Sequence, residues 1–159
     1  MMNPKVSTYN LSGDIHETVR VDDFCILSGK IDICSHTHIG PFAILSGTNG
    51  GIKIGKFCGI SSRISIYTGT EDFLANRSGN PTVDIDNRDV KYAPVIIEDY
   101  VLIGSSVIIL PGVTIAEGAS IAAGTIISKD VPSGAIVGPK SKAKIFGYRD
   151  VKLIKKTTF

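Results

Sequence analysis

Residues 97 to 131 read IEDYVLIGSSVIILPGVTIAEGASIAAGTIISKDV, and isoleucine returns there at 97, 103, 109, 115, 121 and 127. A helix with one buried face repeats its apolar residues every three or four positions and a half-buried strand every two, so a sustained period of six fits neither. The same beat runs earlier through Ile15, Val21, Leu27, Ile33, Ile39 and Leu45. It resumes at Ile54, Ile60 and Ile66 after SGTNGG shifts the register by three residues. Four positions beyond most of these aliphatics stands a second series of mostly small or β-branched residues: Cys25, Ile31, Thr37 and Ala43, then Cys58 and Ile64, then Val101, Val107, Val113, Ala119, Thr125 and Val131. Both series are expected to point inward.

A chain that turns an aliphatic inward every six residues, with short extended segments between bends, closes a triangular coil after three hexads, about 18 residues. Coils stacked at the strand spacing of about 4.8 Å pair their backbone groups from rung to rung, and each coil is stabilised by its neighbours. The fold predicted is therefore an all-β triangular solenoid, a parallel β-helix, in preference to a sandwich of short strands. Gly40, Gly55, Gly104, Ala116 and Ala122 each follow a ladder aliphatic directly and are expected at the bends, where a bulky side chain would obstruct the corner. The ladder falls silent between Ile66 and Ile97, so a long loop of about 67–95 is expected to project from the solenoid.

At 159 residues and 43% hydrophobic, the chain suits one domain, 1–159, rather than two. No apolar run approaches the roughly 20 residues needed to span a bilayer, and the first residues lack an apolar signal core. A cytoplasmic protein without a membrane partner is expected. Three cysteines, Cys25, Cys34 and Cys58, with no CxxC pair, read as reduced structural thiols and imply no metal site. Net charge is +2, but from Lys140 onward the chain holds seven basic residues and one acid. This basic tail, about 140–159, holds few aromatic residues, and a nucleic-acid partner is not expected.

The stretch VIILPGVTIAEGASIAAGTIISKDVPSGAIVGPKSKAKI resembles the carboxyl half of the hexapeptide-repeat acyltransferases, and the ladders from about residue 13 to 147 match their repeat. That resemblance implies a left-handed β-helix, a homotrimer with active sites at subunit junctions, and acetyl-CoA as the donor. It also implies that Gly104, Ser105, Ala122 and Gly124 lie along the pantetheine arm, with Lys129, Lys140, Lys142 and Lys144 at the phosphates. No metal is required.

Within the loop, IYTGTEDF is similar to the IYTATHP of sugar O-acetyltransferases, but Glu71 stands where those enzymes carry histidine. A hydroxyl acceptor needs a general base, most often histidine, whereas a neutral amine can attack a thioester unaided. GTEDF followed by NPTV also resembles the N-acetyltransferases of nucleotide-linked 4-amino-4,6-dideoxyhexoses used in surface polysaccharide. That resemblance implies an N-acetyltransferase acting on an amino sugar, with His38, Glu71 and Asp72 as catalytic candidates and Asn80, Pro81 and Thr82 at the acceptor. Side by side, the charges of Glu71 and Asp72 are expected to raise one carboxyl pKa. A sugar O-acetyltransferase and a non-catalytic trimeric scaffold remain the alternatives.

Overall fold

The computed structural model describes residues 6–72, 74, 79–139, 144–148, 150 and 152. Its strands form a three-faced parallel solenoid. On the first face Arg20–Val21, His38–Ile39, Gly59–Ile60, Leu102–Ile103, Ser120–Ile121 and Ala135–Gly138 stack in that order. Lys144–Tyr148 closes this face as an antiparallel strand. The second face stacks 26–28, 44–46, Ser65–Tyr67, Ile108–Ile109 and Ile126–Ile127, with the start of Ser7–Ser12 beneath. The third stacks 31–33, 52–54, Val95–Ile97 and Thr114–Ile115.

Both inward ladders are where the period of six put them. Every member of the first series from Val21 to Ile127 is buried, as is every member of the second, while Ile15 at the lower end is half-buried. Each inward aliphatic contributes about 1.5–3 kcal/mol through burial. The backbone groups so enclosed are paired between coils: Leu102 N–H donates to Ala119 O at 3.0 Å, Ile108 N–H to Thr125 O at 3.0 Å and Gly104 N–H to Ile121 O at 2.8 Å. Thr37 and Thr125 sit in the interior because their hydroxyls donate to the Gly55 and Ala122 carbonyls, both at 2.7 Å.

The glycines expected at the bends do stand where a side chain would obstruct. A Cβ on Gly40, Gly55 or Gly104 would lie 2.8, 2.7 or 2.6 Å from backbone of the next coil, at Ser61, Asp99 and Ala123 respectively. These glycines serve close stacking of coils, and none of the three has a positive φ. The left-handed backbone falls instead on Phe24, Phe42, Arg63 and Ser106 at the corner between the first and second faces, and on His36, Phe57 and Tyr100 at the corner before the first face. Their side chains stand outside the prism. Phe24 stacks on Phe42 at 5.2 Å, and Phe57 is sandwiched between His36 at 4.9 Å and Tyr100 at 5.3 Å.

The third corner, between the second and third faces, carries the loop. Its extra residues in SGTNGG form a shelf under the loop's base: Thr68 is buried and donates to Ser46 O at 2.9 Å and Thr48 O at 2.8 Å. Ala93 N–H then closes on Thr68 O at 3.0 Å. Gly50 lets the Ala93 carbonyl approach, since a Cβ there would lie 2.6 Å from it. The chain leaves the ladder after Tyr67 and returns at Val95, within one residue of the expected limits at each end.

Candidate functional site

The loop starts as a hairpin, not as featureless coil. Gly69–Glu71 pairs antiparallel with Val90–Tyr92, and Asp72 N–H extends the pairing to Asp89 O at 2.8 Å. Successive side chains of an extended strand point to opposite faces, so Glu71 and Asp72 have different neighbours. Glu71 Oε1 accepts from Arg88 Nη2, and both side chains are largely buried at 19% and 14% exposure. Glu71 Oε2 and Arg88 Nε are also buried and have no hydrogen-bond partner among the described residues.

Asp72 meets Lys91 Nζ at 2.6 Å and accepts Leu74 N–H at 3.0 Å. The Lys91 ammonium, followed by the Leu74 amide, holds the Asp72 carboxyl below its ordinary pKa. For Asp72 the displacement is opposite in direction to the rise expected of one of the two adjacent acids. Lysine, not Glu71, is the charge that Asp72 faces. Further along, Asn80 Oδ1 accepts both the amide of Thr82 at 3.0 Å and its hydroxyl at 2.9 Å, which gathers Asn80, Pro81 and Thr82 into one exposed turn.

His38 lies on the first face, directly across the prism from the corner where the loop leaves. Its Nε2 meets Asp22 Oδ2 at 2.8 Å, and Asp22 Oδ1 accepts from Arg20 Nε at 2.7 Å. Burial works to raise the Asp22 pKa, but the bonds from His38 and Arg20 outweigh it and the net displacement is downward. With Nε2 engaged, the imidazole has Nδ1 left for a substrate proton. Asp22 was missed in sequence, although it stands two residues beyond Arg20, the register partner of His38.

At the corner bordering that face, Gly104, Ser105, Ala122 and Gly124 come together on adjacent coils, with Gly124 N–H donating to Ser105 O at 2.9 Å. Ser105 Oγ lies 2.7 Å from Ser61 Oγ and 3.2 Å from Ser62 Oγ, a hydroxyl cluster not anticipated from sequence. Gly124 has a φ of +72°, and a Cβ there would meet nothing within 4 Å, so the outer side of this corner is open. The exposed Lys129 follows Ile126–Ile127 toward the third face and so sits at a different corner. It does not join the other four. Lys140 and Lys142 lie outside the described residues, and Lys144 is placed only by its backbone, opposite Gly138. No group of three or more potential metal ligands occurs among the described residues.

A three-faced solenoid with a small-residue corner and a carboxylate-bearing loop defines a class, and comparison with known proteins agrees. The family description "Bacterial transferase hexapeptide (six repeats)" matches residues 94–129. An Escherichia coli relative, a dTDP-4-amino-4,6-dideoxy-D-glucose acyltransferase, is 35% identical over 133 residues, spanning 81% of this chain and 69% of that one. The chain belongs to the hexapeptide-repeat acyltransferases. Its solenoid matches the left-handed β-helix of that family. Among solved structures, AntD, an N-acyltransferase from Bacillus cereus, superposes with a TM-score of 0.90 at 33% identity in a serine variant holding dTDP-4-amino-4,6-dideoxyglucose and coenzyme A. With dTDP and 3-hydroxybutyryl-CoA the TM-score is 0.87 at 32% identity; both comparisons cover 99% of this chain and 84% of AntD.

Proposed function

We propose that the chain transfers an acyl group from a CoA thioester to the amino group of a nucleotide-linked amino-dideoxyhexose. The observation that carries this reading is the loop: it bears paired carboxylates in place of a histidine, on a chain similar along most of its length to acyltransferases of dTDP-4-amino-4,6-dideoxyglucose. The neutral amine attacks the thioester carbon, a C–N bond forms, the C–S bond breaks, and CoA leaves as its thiol once the nitrogen's proton is passed on. A backbone N–H aimed at the thioester oxygen would stabilise the developing negative charge.

Asp72, held as a carboxylate by Lys91, is a weak base and a good hydrogen-bond acceptor. It is assigned to orienting the amine. His38, supported by Asp22, is the candidate proton acceptor. Asn80, Pro81 and Thr82 line the acceptor, and Gly104, Ser105, Ala122 and Gly124 line the donor arm. Lys129, Lys140, Lys142 and Lys144 are the proposed contacts to the donor's phosphates.

On the resemblance to the hexapeptide-repeat acyltransferases we propose a homotrimer, in which the loop, leaving the prism opposite the face of His38, meets that face on a neighbouring protomer. Acetyl-CoA is the proposed donor, and a cytoplasmic step in surface-polysaccharide synthesis the proposed setting; no helix among the described residues is long and apolar enough to cross a membrane. The His38–Asp22 pair favours a second reading, O-acylation of a sugar hydroxyl, since an acid-supported histidine is what such a reaction requires. CoA release followed with a thiol reagent, using dTDP-4-amino-4,6-dideoxyglucose and sugars bearing only hydroxyls, separates the two. Turnover confined to hydroxyl acceptors sinks the amine reading.

A further inference from the structure

The Glu71–Arg88 pair occupies the base of the acceptor loop, and its geometry is at odds with a catalytic role for Glu71. One carboxylate oxygen is taken by Arg88 and the other is buried, so neither is presented to a substrate. The pair does touch the acceptor turn. Arg88 Nη1 donates to Pro81 O across a long 3.4 Å bond, and a Cβ on Gly79 would lie 3.6 Å from both Cβ and Cγ of Glu71. The turn 79–82 therefore rests on the ion pair, which sits at the end of the Gly69–Glu71 and Val90–Tyr92 hairpin.

We infer that Arg88 is a positioning residue. Its guanidinium clamps Glu71 on one side and the Pro81 carbonyl on the other, holding Asn80, Pro81 and Thr82 in the arrangement that receives the sugar. An arginine suits this because its planar fork can serve two acceptors at once, which a lysine ammonium on a flexible stem does poorly. Without the clamp, the free protein must order the turn when the acceptor binds, so the penalty falls on acceptor binding rather than on the chemical step. Glu71 thereby leaves the list of base candidates and acts through Arg88. The inference rests on the amino-sugar reading for its kinetic arm only.

The experiment compares R88M, E71Q, the double variant and R88K with the wild type, using dTDP-4-amino-4,6-dideoxyglucose as acceptor, together with amide hydrogen exchange at Thr82 and Val83. These amides are bonded to Asn80 Oδ1 and Asn80 O. In R88M and in E71Q the acceptor KM is expected to rise by about tenfold or more, with kcat within about threefold and the KM for acyl-CoA unchanged. The double variant is expected to be no worse than R88M, because either substitution already breaks the clamp. Exchange at both amides accelerates by about tenfold or more. R88K is expected to recover part of the loss, and it decides the matter if R88M fails to fold.

A kcat loss of about a hundredfold in E71Q, with R88M close to wild type, would make Glu71 the base and overturn the assignment. Unchanged KM and unchanged exchange in all variants would overturn it too. If the wild type acylates no amino sugar, the amino-sugar reading fails and exchange alone judges the clamp: faster exchange in R88M and E71Q supports it, unchanged exchange refutes it.

Discussion

Replacing Phe57 should reverse the usual order of alanine and glycine. Phe57 has a φ of 55°, and its ring lies 4.9 Å from His36 and 5.3 Å from Tyr100, both nearly parallel to it at 17° and 12°. Truncation to alanine removes two stacked contacts worth about 0.5–1.5 kcal/mol each, so F57A should cost about 1–3 kcal/mol before any loss of buried area. Left-handed backbone costs an L-residue roughly 1–2 kcal/mol, a strain that alanine retains and glycine escapes. Glycine's extra freedom in the unfolded chain takes back about 0.5–1 kcal/mol. F57G should therefore be at least as stable as F57A, by up to about 1.5 kcal/mol. At the exposed Lys53, within the strand Ile44–Ile54, the ordinary order should hold, with K53G less stable than K53A by about 0.5–1 kcal/mol. Urea unfolding followed by circular dichroism at one protein concentration reads both pairs, provided the m-values agree. F57A more stable than F57G would refute the left-handed corner.

Neighbouring residues on one rung should behave oppositely: I103A, at a fully buried position, is expected to cost about 2–5 kcal/mol, while L102A, at a half-exposed one, costs about 1 kcal/mol or less in the same unfolding assay. Burial pushes the Cys58 thiol up to about 11 and also raises that of Cys25, whereas Cys34 is exposed. A thiolate-directed reagent should accordingly modify one cysteine in the native protein and all three in denaturant, and rapid native modification of two or more would contradict the packing. The folded Asp22 pKa lies below that of the unfolded chain, so the stability it provides is complete above the unfolded value, about 3.9, and lost as pH falls through the lower folded one. The difference in unfolding midpoint between wild type and D22N should be present at about pH 5 and shrink below about pH 4; a difference that does not shrink on acidification would dismiss the pairing.

The ladders could be read in advance because every member obeys one local rule, an aliphatic turned inward each sixth residue, and the coil geometry repeats that environment without exception from Val21 to Ile127. The corners were less legible. A left-handed φ is usually written as glycine, but here Phe24, Phe42, Phe57 and Tyr100 adopt it, and the rings stack from coil to coil. The site was legible only where it lies on the solenoid. Gly104, Ser105, Ala122 and Gly124 meet because register brings successive coils together, and the same register could have led from His38 to Asp22. The loop has no period. Which face of its hairpin Glu71 and Asp72 occupy depends on pairing with Val90–Tyr92, so the partners Arg88 and Lys91 had no signature in the sequence. Lys129, expected at the donor's phosphates rather than along its arm, stands at a different corner from Gly104, Ser105, Ala122 and Gly124.

The linkage in the product tests the central claim most directly. Incubated with acyl-CoA and dTDP-4-amino-4,6-dideoxyglucose, the protein should yield a sugar heavier by one acyl group whose new bond survives mild alkaline hydroxylamine, as an amide does and an oxygen ester does not. An acylated product that hydroxylamine returns to the starting sugar would reveal an ester and contradict the account.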